Sequence, residues 1–218
     1  MELFSKFIRE EFPHLFTFEI QTPSGRAKTL HCGEEFISFF VSQLYCRVFI
    51  ANQTIIKKGE QFSELYMVFK GTVTLSLSVK DENEYFTLFS TNYFGDYQIL
   101  MGLRSSECYK SSVDSQTYCH CLKKRDLIDL LSTFPTAKYI FTERAIQRRL
   151  EFRRVKKQYE NFADVHPNPE IDAIQLGDTS RFTVQHYNDK SSGPEMPPFL
   201  TDPDFYFEKS ELVQINNE

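Results

Sequence analysis

The segment that most constrains this chain is residues 93–100, Tyr-Phe-Gly-Asp-Tyr-Gln-Ile-Leu, which follows an alternating apolar run over 65–79. Alternation of that kind predicts strands with one buried face. Gly95 leaves a strand and opens a short apolar turn, and a glycine there lets the backbone approach a ligand closely. The free N–H groups of the turn then face an anion. The segment therefore predicts a phosphate cradle.

The candidate ligand-binding residues come from this segment, from the loop that follows it and from one earlier glycine. They are Gly71, Phe94, Gly95, Asp96, Tyr97, Gln98, Arg104 and Ser105. An acid before the turn and a base after it are placed to grip the two ends of a sugar phosphate. The two glycines also suit tight turns of a β-fold, and Gly95 is the one that we expect to contact a ligand.

The rest of the pattern predicts an α+β fold. Short strands separated by turn residues fill 47–122, which is typical of a sandwich or barrel. Residues 21–31 are predicted to be a loop because they contain Pro23 and Gly25. We expect an antiparallel, jelly-roll-like β-roll of about eight strands, with flanking helices and an extended acidic tail. Apolar residues at helical spacing predict helices over 2–12, 34–45, 124–134 and 136–161.

Several segments, in this order, resemble the cyclic-nucleotide-binding domain family, and in particular its branch at the carboxy-terminal end of voltage-gated and cyclic-nucleotide-gated potassium channels. The resemblance covers about residues 33–160. It implies a non-catalytic β-roll module with cAMP or cGMP as the candidate ligand and no other cofactor. The segments that carry it are 55–60, 65–73, the Phe-Gly-acid step at 94–96, Thr117-Tyr118-Cys119 and the helix that ends at Phe134-Pro135.

The resemblance also implies roles for the candidate residues. In the family, the acid after Phe-Gly bonds the ribose hydroxyl, and an arginine after the helical turn bonds the cyclic phosphate. Asp96 takes the acid's place but is one methylene shorter than the usual glutamate. Ser105 falls at the arginine position, and Arg104 lies one residue earlier, where a strand turns its side chain to the opposite face.

Two hypotheses follow and stay open. In the first, the pocket is degenerate and the chain is a regulatory or structural subunit that binds protein partners. In the second, the chain is a cAMP or cGMP sensor, either stand-alone or the cytosolic part of a potassium channel. Arg104 would then bind the phosphate and Asp96 the ribose.

Charge divides the chain into two parts. Residues 164–218 contain 11 acidic and 3 basic residues, a net charge of −8, and the remaining 22 basic and 19 acidic residues give +3. Repeated prolines and few apolar residues beyond 165 predict an extended tail. We therefore expect three regions: an N-terminal helical and loop segment (1–32), the β-roll with its C-terminal helices (33–162) and the acidic tail (163–218).

The predicted last helix is strongly basic, with eight bases and two acids between residues 138 and 157. Such a helix binds an acidic partner, a membrane surface or nucleic acid, is simply a solvated face, or binds the acidic tail of its own chain. The net charge of −5 argues against nucleic acid. An acidic-aromatic motif near the end is expected to dock on a protein or to plug the pocket. The partner-binding candidates are Arg148, Arg149, Arg153, Arg154, Phe205, Tyr206 and Phe207.

Composition bounds the remaining classes. Five cysteines without paired spacing, and no signal peptide at the first residue, predict reduced thiols in the cytoplasm. The initiating methionine favours a complete chain. No apolar run is long enough to span a membrane. Cys119, His120 and Cys121 alternate between strand faces, so we expect no metal there. The sequence contains no nucleophile motif and no phosphate-binding loop, so it does not favour an enzyme.

Overall fold

The computed structural model describes residues 2–21, 25–77 and 84–165. Helices alternate with short strands along these residues. The helices are α1 (Glu2–Glu11), α2 (Pro13–Phe16), α3 (Glu34–Ser42), α4 (Asp96–Leu100), α5 (Lys124–Thr133) and α6 (Pro135–Val165). The strands are β1 (Thr17–Gln21), β2 (Ala27–His31), β3 (Tyr45–Phe49), β4 (Thr54–Ile56), β5 (Glu64–Lys70), β6 (Val73–Ser76), β7 (Glu84–Leu88), β8 (Tyr93–Phe94), β9 (Cys108–Ser111) and β10 (Thr117–Lys123).

The N-terminal region contains a β-hairpin that the sequence did not predict. Strands β1 and β2 pair antiparallel, with Phe18 opposite Leu30. Both side chains are buried. The prediction of a loop over 21–31 is therefore wrong for its second half, because burial of this cross-strand apolar pair stabilises strand pairing there.

Eight strands form the predicted β-roll. Two four-stranded antiparallel sheets have the strand orders β3-β10-β5-β8 and β4-β9-β6-β7. Their core is aromatic: the ring of Phe94 stacks on Tyr66 at a centroid distance of 4.8 Å and on Tyr109 at 4.9 Å. These three rings come from β8, β5 and β9, so Phe94 is held between the two sheets. The prediction of a jelly-roll-like fold with about eight strands is confirmed.

The alternating run is buried more completely than its pattern predicted. In β6, Val73 and Leu75 are fully buried, and Thr74 and Ser76 are only 7% and 2% exposed. Strand β6 lies inside its sheet, between β9 and β7. The Thr74 hydroxyl donates a hydrogen bond to Oε1 of Glu84 at 2.7 Å. The expected single buried face is therefore wrong for this strand.

Flanking helices cover the roll. The predicted apolar face of α3 is buried through Phe36 and Phe40, among others. In α5 the leucines are buried as predicted, but Ile128 is 40% exposed and not inward-facing. Helix α6 is longer than predicted and ends at Val165, so the proposed boundary at 162 falls inside it. The predicted tail beyond 165 lies outside the described residues. Within the described part of the chain, no helix has the length and apolar character to cross a membrane.

Candidate functional site

The candidate site is the cassette, defined as residues 93–100 and made of β8, Gly95 and α4. Gly95 has a φ of +95°, a conformation that other residues rarely adopt. A Cβ at this position would lie 2.7 Å from the carbonyl oxygen of Glu64 and 2.9 Å from the ring of Phe62. The close approach of the cassette to β5 therefore requires glycine. A ligand contact at Gly95 stays a prediction.

Gly71, the earlier candidate glycine, is constrained in the same way. Its φ is +88°, and an added Cβ would lie 2.8 Å from the carbonyl oxygen of Gln116. The residue thus serves the tight connection between β5 and β6. Its contact with a ligand also stays a prediction.

Asp96 opens α4 and is only 2% exposed. Its Oδ2 lies 3.4 Å from Nε of Arg148 on α6, the sole ion pair of this carboxylate within the described residues. No hydrogen bond of ordinary geometry reaches either oxygen from those residues. Burial raises the pKa of Asp96, and the Arg148 cation and the nearby backbone N–H groups offset only part of that rise. Asp96 is thus a desolvated carboxyl whose charge is balanced by α6.

The guanidinium of Arg148 makes two further contacts with the cassette. Its central carbon lies 3.9 Å from the ring centroid of Tyr93, and it donates a hydrogen bond to the Tyr93 carbonyl. One turn later on α6, the ring of Phe152 packs against Phe86 at 5.0 Å and Tyr97 at 5.8 Å. Helix α6 therefore covers the cassette with an arginine and an aromatic ring side by side.

The other polar residues of the cassette are buried as well. Gln98 is 2% exposed, and its Nε2 donates a hydrogen bond to the Tyr109 hydroxyl at 3.1 Å. Its Oε1 accepts no hydrogen bond from the described residues. Burial is the main cause that raises the pKa of Tyr97, and the nearby Glu107 carboxylate raises it further. The structure thus brings Asp96, Tyr97 and Gln98 together under α6.

Arg104 and Ser105 have opposite orientations. Arg104 is exposed, and its Nη1 donates a hydrogen bond to the carbonyl oxygen of Gly59 at 2.9 Å. Ser105 is 3% exposed, and its hydroxyl donates to the carbonyl oxygen of Glu107 at 2.7 Å. The serine is therefore inside and the arginine outside, as the one-residue slip predicted. Arg104 does not accompany Asp96 in the buried part of the cassette.

Sequence reasoning missed a second buried acid and its partner. Glu107 is 3% exposed, and its Oε1 lies 3.2 Å from Nζ of Lys156 on α6. Its Oε2 has no hydrogen-bond partner among the described residues. Lys156 follows Arg148 by eight residues, which places the two bases near one face of a helix. That spacing was visible in the sequence, but nothing there identified the acids that they meet.

The structure divides the predicted basic helix into two faces. Arg144 donates two hydrogen bonds to the carbonyl oxygen of Thr17 at 3.1 and 3.0 Å, and Arg149 donates to the sulfur of Met101. Arg148 packs against the cassette with 20% of its side chain exposed, and a partner for it stays a prediction. Arg153 and Arg154 are exposed, and a partner for them stays a prediction. Phe205, Tyr206 and Phe207 lie outside the described residues.

Strand β10 confirms the alternation predicted for the Cys-His-Cys run. Cys119 and Cys121 are buried on one face, whereas His120 is half-buried and contacts the rings of Phe4 and Phe69 at 5.5 and 5.2 Å. Burial raises the pKa of Cys119 to about 12, which keeps that thiol protonated. In the described ranges, no three metal-ligating side chains form a group.

Comparison with known proteins finds likeness in structure but not in sequence. No protein-family model matches the chain, and no curated protein matches it. Its fold is similar to that of a solved structure described as Sp-2Cl-cAMPS bound to PKAR CBD2. The TM-score is 0.51 at 15% sequence identity, over 73% of this chain and 90% of that chain. At this identity the likeness supports the fold alone: a β-roll with flanking helices.

Proposed function

We propose that this chain is a non-catalytic, cyclic-nucleotide-binding-like module that acts as a regulatory or structural subunit, with its cassette closed by helix α6 in place of a nucleotide. The observation that carries the proposal is the ion pair between the buried Asp96 and Arg148. The carboxyl that the family resemblance assigns to a ribose hydroxyl is already matched by a cation of the same chain.

The energetics of this pair favour the closed cassette. A nucleotide that reached Asp96 in the family manner would have to displace Arg148. Breaking a buried ion pair costs about 3–5 kcal/mol. Since about 1.4 kcal/mol is a factor of ten, the ligand would lose between about a hundredfold and several thousandfold in affinity.

Charge acts in the same direction. A cyclic phosphate adds a negative charge beside two buried acids, Asp96 and Glu107, whose partners on α6 are Arg148 and Lys156. Arg104, the candidate phosphate ligand, is exposed and bonded to a backbone carbonyl. A phosphate there would thus lack the charge-assisted, bidentate arginine contact that anion recognition uses.

The proposal extends to partners and location. We place the module in the cytoplasm with protein partners, because its five cysteines are unpaired and α6 exposes Arg153 and Arg154 to solvent. Membership of the potassium-channel branch is part of this proposal and rests on the sequence resemblance alone.

The alternative is a cAMP or cGMP sensor. The observation in its favour is the fold similarity to a domain solved with Sp-2Cl-cAMPS. In this case α6 would swing away, Asp96 would accept the ribose hydroxyl, and Arg104 would turn inward to the phosphate.

Calorimetric titration with cAMP and cGMP, up to millimolar ligand, separates the two. We expect no saturable heat and no change in melting temperature for the natural chain. Saturable binding that Arg104→Ala abolishes, at an unchanged melting temperature, would establish the sensor. Arg125→Ala is the matched control, because Arg125 lies on α5 and its side chain is 89% exposed.

A further inference from the structure

An open cleft of about 460 Å³ lies between the turn at 61–63 and the start of α5. Ligand clefts in proteins have volumes of about 300–1,000 Å³, so this one has room for a few side chains of a partner. Its lining combines apolar with charged side chains, and no residue of the cassette belongs to it. We call it the α5 cleft.

Both walls of the α5 cleft are held in place by the fold. The backbone N–H of Lys124 donates a hydrogen bond to the carbonyl oxygen of Ser63 at 2.8 Å, which joins the start of α5 to the turn. Phe62 is 3% exposed, and its ring packs edge-on against Tyr109 at a centroid distance of 5.4 Å. Leu127 is fully buried and anchors α5. The cleft is therefore formed before a ligand arrives, which lowers the entropic cost of binding.

The α5 cleft offers apolar contact at two positions. Phe62 is the buried apolar member of its lining, and Ile128 is 40% exposed on the α5 side. The leucines of α5 occupy the side of the helix that faces the roll, so Ile128 is left at the surface. An apolar side chain of a partner that covered Ile128 would remove apolar area from water, which favours association.

The charged part of the lining is mainly basic. Its one acid, Asp129, is paired with Arg125 at 3.7 Å in an exposed contact that contributes little. Lys124 is exposed and forms no ion pair among the described residues. Two more exposed bases border the cleft: Lys123 precedes Lys124, and Arg104 lies opposite the lining residue 61 in an antiparallel bridge. The cleft therefore suits a ligand with negative charge.

We infer that the α5 cleft is a docking site for a short segment of a partner protein, in which a large apolar side chain is flanked by acidic residues. The apolar side chain packs on Ile128 beside Phe62, and the carboxylates meet Lys124 and the bordering bases. Lys124 and Ile128 are four residues apart on α5, a spacing that puts their Cβ atoms about 5–6 Å from each other. An extended peptide advances about 3.3 Å per residue, so an acid about two residues from the apolar anchor reaches both side chains.

The combination of groups selects this occupant over a simpler anion. A free phosphate would meet the bases but would leave Ile128 exposed to water, whereas an acidic peptide with an apolar anchor uses both features. The α5 cleft shares no residue with the cassette or with the inner side of α6. The inference therefore stands independently of the proposed function and adds a second surface for partners.

Peptide display on the full chain tests the inference. A phage library of short random peptides is selected on the immobilised protein, and the affinity of the most enriched peptide is measured by fluorescence anisotropy. We expect the enriched sequences to place acidic residues within about two positions of a large apolar residue.

Substitutions in the α5 cleft locate the bound peptide. Lys124→Glu sets a like charge against the acids of the peptide and should weaken binding about tenfold. Ile128→Ser removes the apolar contact and should weaken it about fivefold. Both side chains are exposed, so we expect the two variants to fold, and thermal melting checks this. Lys157→Glu changes an exposed base on α6 and is the matched control, which should leave the affinity unchanged.

Several outcomes would overturn the inference. No enrichment, or enriched peptides that lack acids, would do so, and so would an affinity that Lys124→Glu leaves unchanged. A loss with Lys124→Glu but not with Ile128→Ser would also overturn it, because the cleft would then bind anions without an apolar anchor. Failure of the proposed function gives a different signal: cyclic nucleotide would bind in the calorimetric titration, a result that does not depend on the peptides.

Discussion

The two faces of helix α6 carry the same residue types and do different things. On the inner face, Arg148 and Lys156 meet buried acids at 3.4 and 3.2 Å. On the outer face, Arg153 and Lys157 are exposed to solvent. The contribution of a basic side chain to stability depends on its desolvation and its geometry more than on the number of bases in the sequence. The inner bases therefore determine whether the cassette is closed, and the outer ones are available for association.

The largest expected effect on stability comes from removing Arg148, a base of the inner face. Arg148→Met keeps much of the side-chain volume and its apolar stem but leaves the Asp96 carboxylate buried without a cation. We expect the free energy of unfolding to fall by about 3–5 kcal/mol. Urea denaturation at neutral pH measures the change.

The matched control is the double variant Asp96→Asn/Arg148→Met. Removing both charges should recover most of the loss, because no uncompensated ion remains. Simple addition of the two single effects would contradict a direct interaction between the side chains.

Lys156 should give the next largest effect. Lys156→Met removes the cation beside Glu107, whose side chain is 4% exposed and whose Oε2 has no hydrogen-bond partner among the described residues. We expect a loss of about 1–3 kcal/mol, the usual cost of leaving a buried polar group unsatisfied. Glu107→Gln in the same background should restore part of it. If Glu107→Gln makes the Lys156→Met variant less stable still, the pair does not stabilise the closed helix.

The third test changes pH instead of the inner cation. The ordinary pKa of an aspartate is near 3.8, and burial raises the pKa of Asp96 in the folded chain. The folded state then keeps its proton to a higher pH than the unfolded state does. The stabilising contribution of Asp96 is complete below pH 3.8 and is lost as pH rises through the folded pKa.

The variant Asp96→Asn isolates this effect, because an amide does not titrate. Subtracting its unfolding free energy from that of the natural chain should give a difference that falls as pH rises above 3.8. A difference that grows over the same range would show that Arg148 lowers the pKa of Asp96 by more than burial raises it.

The sequence predicts the fold better than it predicts the site. Period-two alternation and the Phe-Gly-acid step led to the β-roll, since both reflect local backbone requirements such as the positive φ of Gly95. The hairpin of β1 and β2 was not predicted, because Pro23 and Gly25 indicate a loop. The burial of Phe18 opposite Leu30, which favours strand pairing, appears only in the fold. Turn residues are local signals, whereas cross-strand burial is not.

The cassette shows more clearly which features of the site the sequence could not predict. The slip between Arg104 and Ser105 was predictable, because strand alternation alone turns neighbouring side chains to opposite faces. The Asp96–Arg148 pair was not, because its members are fifty-two residues apart and only the packing of α6 across the roll joins them. The sequence marked Arg148 as part of a basic surface, and only the fold shows which of those bases faces the cassette.

The smallest expected effect is on the outer face of α6, at Arg153, and it completes the comparison of the two faces. Arg153→Ala removes an exposed cation, so its unfolding free energy should change by no more than about 0.5 kcal/mol. The same type of residue five positions earlier, Arg148, is expected to change it by several kcal/mol. Thermal melting of both variants side by side measures the contrast. A loss at Arg153 as large as that at Arg148 would mean that both faces of α6 are buried in the working protein. The outer face would then be part of the core of a larger assembly.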